Sequence, residues 1–452
     1  QYKSVGADGR YDADLAAGSS TGASGNTVQR WGATVLLNGG AHDFIAEDIV
    51  FENSFNRYMT QEELDDYVTV EPNGTKPVRR ANSDVASYDY NERAAALYSR
   101  GADRVQMLGC KFLSSQDTMG TGGRMLFDDC YIEGRTDYMC GGGTVVYNNC
   151  DLMVYGYSDT NGSGTFTAAQ SPFVDDDYGY LFNECYLGHT KSGVSGATLG
   201  RPWAQDAHVT YKNCVLQSSD TVVAIGWADM SSNRKEDAFF REYGTKLANG
   251  ANANLSGRLE GTILDEWSVL EHNPYNYLDG NDGWDPLGLA GEYAGVNTTA
   301  AETTLEIPEG TSNEVTLPAA PSGYEFKWES NTEYAVVSGD GSSVTVIRPA
   351  NGEEPINTTI TLYVRETGDN SIGTRSTIPV VISPTTDTEN VFTVSGAISV
   401  DGAAAVHDVT VHVGFYLGGA LIKQVEATVP QGSSSAQYEA TGIPAGSYDV
   451  VF

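Results

Sequence analysis

Short apolar and polar alternations rich in Val, Ile, Thr and Tyr run along the chain, each closed by Gly, Asn, Asp or Ser, which predicts strands and few long helices. One frame recurs within them. Phe127-Asp-Asp-Cys130-Tyr-Ile132, Tyr147-Asn-Asn-Cys150-Asp-Leu152, Phe182-Asn-Glu-Cys185-Tyr-Leu187 and Tyr211-Lys-Asn-Cys214-Val-Leu216 share an aromatic residue three before the cysteine and an apolar one two after it. Phe51-Glu-Asn-Ser54 reads as an earlier copy with serine for cysteine, and Cys110-Lys-Phe112 keeps the latter half. With β-like alternation and no helical period between the copies, the repeat predicts a solenoid with one coil per repeat. A right-handed parallel β-helix is the expected form. Its inward positions stack coil on coil, so the cysteines of the frame are expected to be buried small hydrophobes rather than metal ligands or redox thiols.

The pattern changes near residue 287. Downstream come short alternating strands with Pro-Gly-Ser turns and no cysteine. Runs such as EVTLPA, YEFKWES, SVTVIRP and TITLYVRE predict an Ig-like β-sandwich over residues 300–385, with Trp328 as a core aromatic. FTVSGAISVDG and HDVTVHVGFYLGG predict a second, truncated sandwich over 391–452. The all-β partition is therefore a coil domain over 1–290 and one or two sandwiches. His407 and His412 are too oddly spaced for a metal pair on one face of a regular strand.

Composition narrows the partners. The 452 residues carry 26 Lys and Arg against 60 Asp and Glu, a formal charge of −34, which argues against nucleic acid and anionic membrane surfaces. No run approaches the ~20 apolar residues of a membrane span, and no basic-then-apolar start marks a signal peptide. A start at Gln1 and an end at Phe452 inside an alternating run read as a fragment or processed product.

The chemistry is sought next. Gly18-Ser19-Ser20-Thr21-Gly22 matches a nucleophile elbow in letters alone, because neither a strand nor a helix flanks it. Histidines are few and scattered, and no zinc, phosphate-loop or dinucleotide motif is present, so carboxylate catalysis is the hypothesis to test. Three polar segments interrupt the alternation: Gln116-Asp117-Thr118, Asp137-Tyr138-Met139-Cys140-Gly141 and Leu199-Gly200-Arg201-Pro202-Trp203. Asp117 and Asp137 are 20 residues apart, the same interval as Cys110 to Cys130 and Cys130 to Cys150, which predicts neighbouring coils. Two adjacent carboxylates divide into an acid and, with an arginine such as Arg201 beside it, an ionised nucleophile. Taken singly, each aspartate reads better as a turn-capping residue of a glycine-rich solenoid.

The order and spacing of the three segments, QDTM at 116–119, DYMCG at 137–141 and LGRPW at 199–203, resemble the pectin methylesterase family. The resemblance extends from about Gly32 to Leu287 and includes GATVLLNGGAHDFIAEDIVFENS, EYG at 242–244 and NYLDGNDGWDP at 276–286. The family's opening strand region is missing, which implies a truncated start. The resemblance implies that Asp137 attacks the carboxymethyl carbon of a galacturonate, that Asp117 protonates methoxide and then activates water, and that Gln116 donates to the oxyanion. It also implies that Arg201 orients Asp137, that Trp203 walls the sugar cleft, and that Tyr138 and Met119 line it. No cofactor and no metal are implied. The partner would be methyl-esterified homogalacturonan, and the protein a secreted bacterial monomer, free or attached to the cell surface.

Departures accompany the match. Arg93 stands where the family has a second oxyanion glutamine, while Gly120 and Cys140 stand where aromatics are usual. A β-helix lyase or hydrolase of polygalacturonate, a non-catalytic polysaccharide-binding adhesin and an acyl thioesterase of the same fold are the rival readings. None of them accounts equally well for the three segments together. The sandwich modules are expected to bind polysaccharide or to act as spacers.

Overall fold

The computed structural model describes residues 32–53, 94–155, 164–172, 178–191, 195–258, 261–386, 391–400, 404–444 and 446–452. Two compact units, Gln1–Ala290 and Gly291–Phe452, divide the chain.

Three parallel sheets run through the first unit, and each of the six coils between residues 32 and 216 contributes one strand to each. The first sheet runs through Gly32–Leu37, Ala94–Ser99, Met119–Thr121, Met139–Gly141, Thr165–Ala169 and Thr198–Pro202. The second includes Arg124–Asp128, Thr144–Asn148, Tyr180–Asn183 and His208–Lys212, and the third Tyr131–Gly134, Asp151–Val154 and Tyr186–His189. This is a parallel β-helix. The corner from first to second sheet needs glycine at Gly143, where φ is 95° and a Cβ would lie 2.4 Å from the Gly123 carbonyl oxygen of the coil below.

The recurring frame is the corner between the second and third sheets. The residue before each cysteine is left-handed: Gly109, Asp129, Asn149, Glu184 and Asn213 all have φ between 50° and 59°. Glycine, asparagine and aspartate tolerate this region best, which explains the Asn and Asp punctuation. The bend turns the following thiol inward. Cys110, Cys130, Cys150, Cys185 and Cys214 are buried and free, and each sulfur donates to a backbone carbonyl of the adjacent coil at 3.2–3.5 Å. The aromatic residue of the frame stacks likewise, with ring centroids 4.9 Å apart for Phe127–Tyr147, 4.6 Å for Tyr147–Phe182 and 4.4 Å for Phe182–Tyr211. Such offset pairs add to the burial of their area.

The expected earlier copy at Phe51 is out of register. Phe51 pairs with Phe112, which pairs with Ile132, so it holds the apolar position two after the cysteine rather than the aromatic position three before it. Ala46 and Met107 fill the latter row. The sequence pattern misled because an aromatic suits either inward row; Ser54 lies outside the described residues.

The second unit holds antiparallel sheets. Tyr324–Ser330, Ile356–Glu366 and Gly373–Ile382 form one three-stranded sheet, and Glu314–Thr316, Ser343–Val346 and Ala335–Val337 another. Trp328 is buried there. Val391–Ser399 pairs with Ser435–Pro444, and Val409–Leu417 lies between Ala420–Val429 and Asp449–Val451, around a core that includes Val413, Phe415, Val429 and Ile443. His407 precedes the strand that carries His412.

Candidate active site

The turns from the third sheet to the first, residues 114–118 and 135–138, carry the two aspartates. Asp117 and Asp137 are both left-handed, with φ of 53° and 51°. Met119 pairs with Met139 two residues further on, so the two turns stack on consecutive coils as the 20-residue interval requires. The Asp117 N–H donates to the Thr136 carbonyl at 3.1 Å, and the Thr118 hydroxyl donates to the Glu133 carbonyl at 2.9 Å, which ties the lower turn to the upper. Left-handed aspartates in an over-determined framework are backbone conformations that surrounding structure must enforce.

Arg201 reaches Asp137 from two coils away. Its Nε donates to Oδ1 at 2.8 Å and its terminal nitrogen to Oδ2 at 2.6 Å, a bidentate pair that fixes the plane of the carboxylate. The Asp137 side chain is 5% exposed and that of Arg201 30%, so the cation faces solvent and the anion faces the protein. The Asp137 hydrogen bond raises the guanidinium pKa above its ordinary value, against the opposing effect of burial, and the charges of Asp137 and Asp117 add to the rise. Asp117 is thus electrostatically part of the same cluster. It is buried as well.

One outward row of the first sheet makes the reach possible. Tyr98 pairs with Gly120, Gly120 with Cys140, Cys140 with Ala168 and Ala168 with Arg201. Small side chains therefore lie between the ring of Tyr98 and the guanidinium. The Tyr98 ring lies over Gly120, where a Cβ would come 2.1 Å from its Cδ2. Burial pushes the Tyr98 phenol up, with Cys140 and Asp117 acting in the same direction. An aromatic surface thus stands beside the two aspartates although Gly120 and Cys140 are small. Sequence reasoning missed Tyr98; the signal was its place five residues after Arg93, on the first-sheet strand one coil before Gly120.

Gln116 is half-buried in the turn that carries Asp117, and Trp203 is half-buried at the end of the strand that carries Arg201. Met119 and Tyr138 are fully buried in the coil core and offer no surface to a ligand. They follow left-handed turn residues that send the next side chains inward, which the linear motif cannot reveal. Arg93 lies outside the described residues. The site sheet is also held from inside: the buried Tyr180 hydroxyl donates to the Gly141 carbonyl and that of Tyr211 to the Leu199 carbonyl, both at 2.9 Å. Among the described residues no group of three His, Cys, Asp or Glu side chains is placed to hold a metal ion.

Residues 84–281 match the family model described as Pectinesterase. Pectinesterase A of Emericella nidulans is 35% identical over 151 residues, 32% of this chain and 43% of that protein. The protein named "Probable pectinesterase A" of Neosartorya fischeri is 33% identical over 178 residues, 38% of this chain and 50% of that protein. Among solved structures, the pectin methylesterase of Aspergillus niger in deglycosylated form is 29% identical, covering 44% of this chain and 62% of that one, with a TM-score of 0.37. The chain spans about half the length of the curated relatives it matches. The matched segment lies in the coil unit and contains all three polar motifs, and over it this chain is similar to pectinesterases.

Proposed function

We propose that the protein is a carbohydrate esterase that hydrolyses methyl esters of galacturonate residues in pectin and releases methanol. The observation that carries this reading is the buried Asp137 carboxylate clamped bidentately by Arg201, with Asp117 in the equivalent turn one coil away. A carboxylate gripped at both oxygens by a guanidinium is held in one plane and aimed, as a nucleophile must be. Asp137 attacks the ester carbonyl carbon, and Gln116 donates to the oxygen that becomes negative. Asp117 gives its proton to departing methoxide, leaving an acyl-enzyme anhydride, and then takes a proton from the water that hydrolyses it. Tyr98 and Trp203 flank this centre and supply apolar faces for sugar rings. If Arg93 occupies the position of a second oxyanion amide, its charge adds to the hydrogen bond that Gln116 donates.

The family match supports a polysaccharide esterase over a polygalacturonate lyase or an adhesin. Among the described residues no helix is long and apolar enough to cross a membrane, in keeping with a secreted enzyme that meets its polymer outside the cell. The sheets after residue 300 act as Ig-like spacers or polysaccharide-binding modules, over 300–385 and 391–452. The reading is tested by methanol release from highly esterified pectin by the parent and by Asp137→Asn. The parent releases methanol and the folded variant does not; substantial release by the variant would remove Asp137 from the nucleophile's role.

A further inference from the structure

The segment after the third sheet, residues 221–235, returns to the site sheet and pairs with its last described strand. Ala197 bridges to Val222 and Gly200 to Trp227, and the Ala228 N–H donates to the Gly200 carbonyl at 3.0 Å. The segment then makes a tight turn. Met230 and Asn233 exchange backbone hydrogen bonds at 3.0 and 2.9 Å around a left-handed Ser231. Asp229 locks its base, accepting from the Lys235 N–H at 3.1 Å and Nζ at 3.3 Å and pairing with Arg234 at 2.9 Å. This construction holds one side chain over the site strand: the Asn233 amide donates to the Trp203 carbonyl at 2.7 Å and to the Pro202 carbonyl at 3.3 Å.

We infer that Asn233 is a positioning residue that sets the pose of Trp203, and through it the affinity for the polymer, from a turn that does not itself carry the reacting groups. The inference rests on the proposed esterase reading, in which Trp203 walls the sugar cleft. Its physical basis is that Trp203 lies just beyond the strand Thr198–Pro202, where the ladder no longer fixes it. On one side its N–H donates to the Ala169 carbonyl at 2.8 Å, and on the other its carbonyl is held by Asn233. Arg201, inside the strand and doubly bonded to Asp137, has its own restraints. Loss of the amide therefore acts on binding more than on chemistry.

The test is steady-state methanol release on esterified pectin by the full chain. Asn233→Ala is expected to raise KM about fivefold, the scale of one or two lost hydrogen bonds, with kcat changed by less than about twofold. Asn233→Asp, of the same shape but presenting acceptors to two carbonyls, raises KM at least as much. In a Trp203→Ala background the Asn233→Ala change adds less than about twofold to KM, because the residue it positions is gone. Far-UV circular dichroism and thermal melts confirm that each variant is folded, and Asn233→Asp serves should Asn233→Ala fail to fold. Unchanged KM in a folded Asn233 variant, a loss in kcat alone, or full additivity with Trp203→Ala overturns the inference. A parent that releases no methanol would instead sink the esterase reading.

Discussion

Removal of the Arg201 guanidinium tests how the Asp137 carboxylate is held. Arg201→Ala deletes two charge-assisted hydrogen bonds, at 2.8 and 2.6 Å, and leaves an almost fully buried carboxylate without its counterion. Hydrogen bonds to charged groups are worth about 1.5–3 kcal/mol each, and breaking a buried pair by removing one partner costs about 3–5 kcal/mol. The 30% exposure of the arginine lets water re-enter, which places the expected loss at about 2 kcal/mol, half the dry limit. Asp137→Asn removes the charge instead, and the double variant removes both partners, so a double-mutant cycle isolates their coupling at about 2 kcal/mol. Urea midpoints of the full chain for the four proteins give the stability cycle, and methanol release by the parent and Arg201→Ala gives the accompanying catalytic loss. A coupling below about 0.5 kcal/mol, with additive single changes, would refute the claim that this pair fixes the carboxylate.

Further outcomes follow from other parts of the coil unit. Ala168→Leu places a bulky side chain in the row between Cys140 and Arg201, so it should displace the guanidinium and lower kcat by tenfold or more, on the scale of a misplaced catalytic group; a full-rate variant would contradict the outward row. Lys212 is buried and pushed down to about 8 by desolvation, from an ordinary 10.5. Between these two pH values the unfolded chain binds more protons than the folded one, so this group makes stability rise with pH there. Lys212→Met should stabilise the protein at pH 7 and flatten that rise, measured as the difference between variant and parent urea midpoints from pH 7 to 10.5. All six cysteines are buried and free, so a thiol reagent should find none in the native protein and six after denaturation; rapid native reaction of more than one thiol, Cys140 being in the outward row, would argue against the inward ladder. With a formal charge of −34, apparent affinity for sparsely esterified pectin should improve as salt is added, and tighter binding at low salt would show that a local basic cleft prevails.

The amino-acid sequence by itself determined the coil. An inward position admits few residue types, so the cysteine and aromatic rows repeat visibly, and the left-handed corner selects Asn, Asp or Gly before four of the five cysteines of the frame. The stacking of Asp117 on Asp137 was legible for the same reason, since a 20-residue coil repeats in sequence as it does in space. Direction and distance were decided only by the tertiary structure. A strand reverses its side chains at every residue and a left-handed turn resets that alternation, so the motif could not tell that Met119 and Tyr138 face the core or that Tyr98 covers Gly120. Nor does chain order encode contacts between coils of unequal length. Arg201 meets Asp137 across 64 residues, and Asn233 meets Trp203 across 30, because register between parallel coils is set by packing of the whole inward face rather than by any local run.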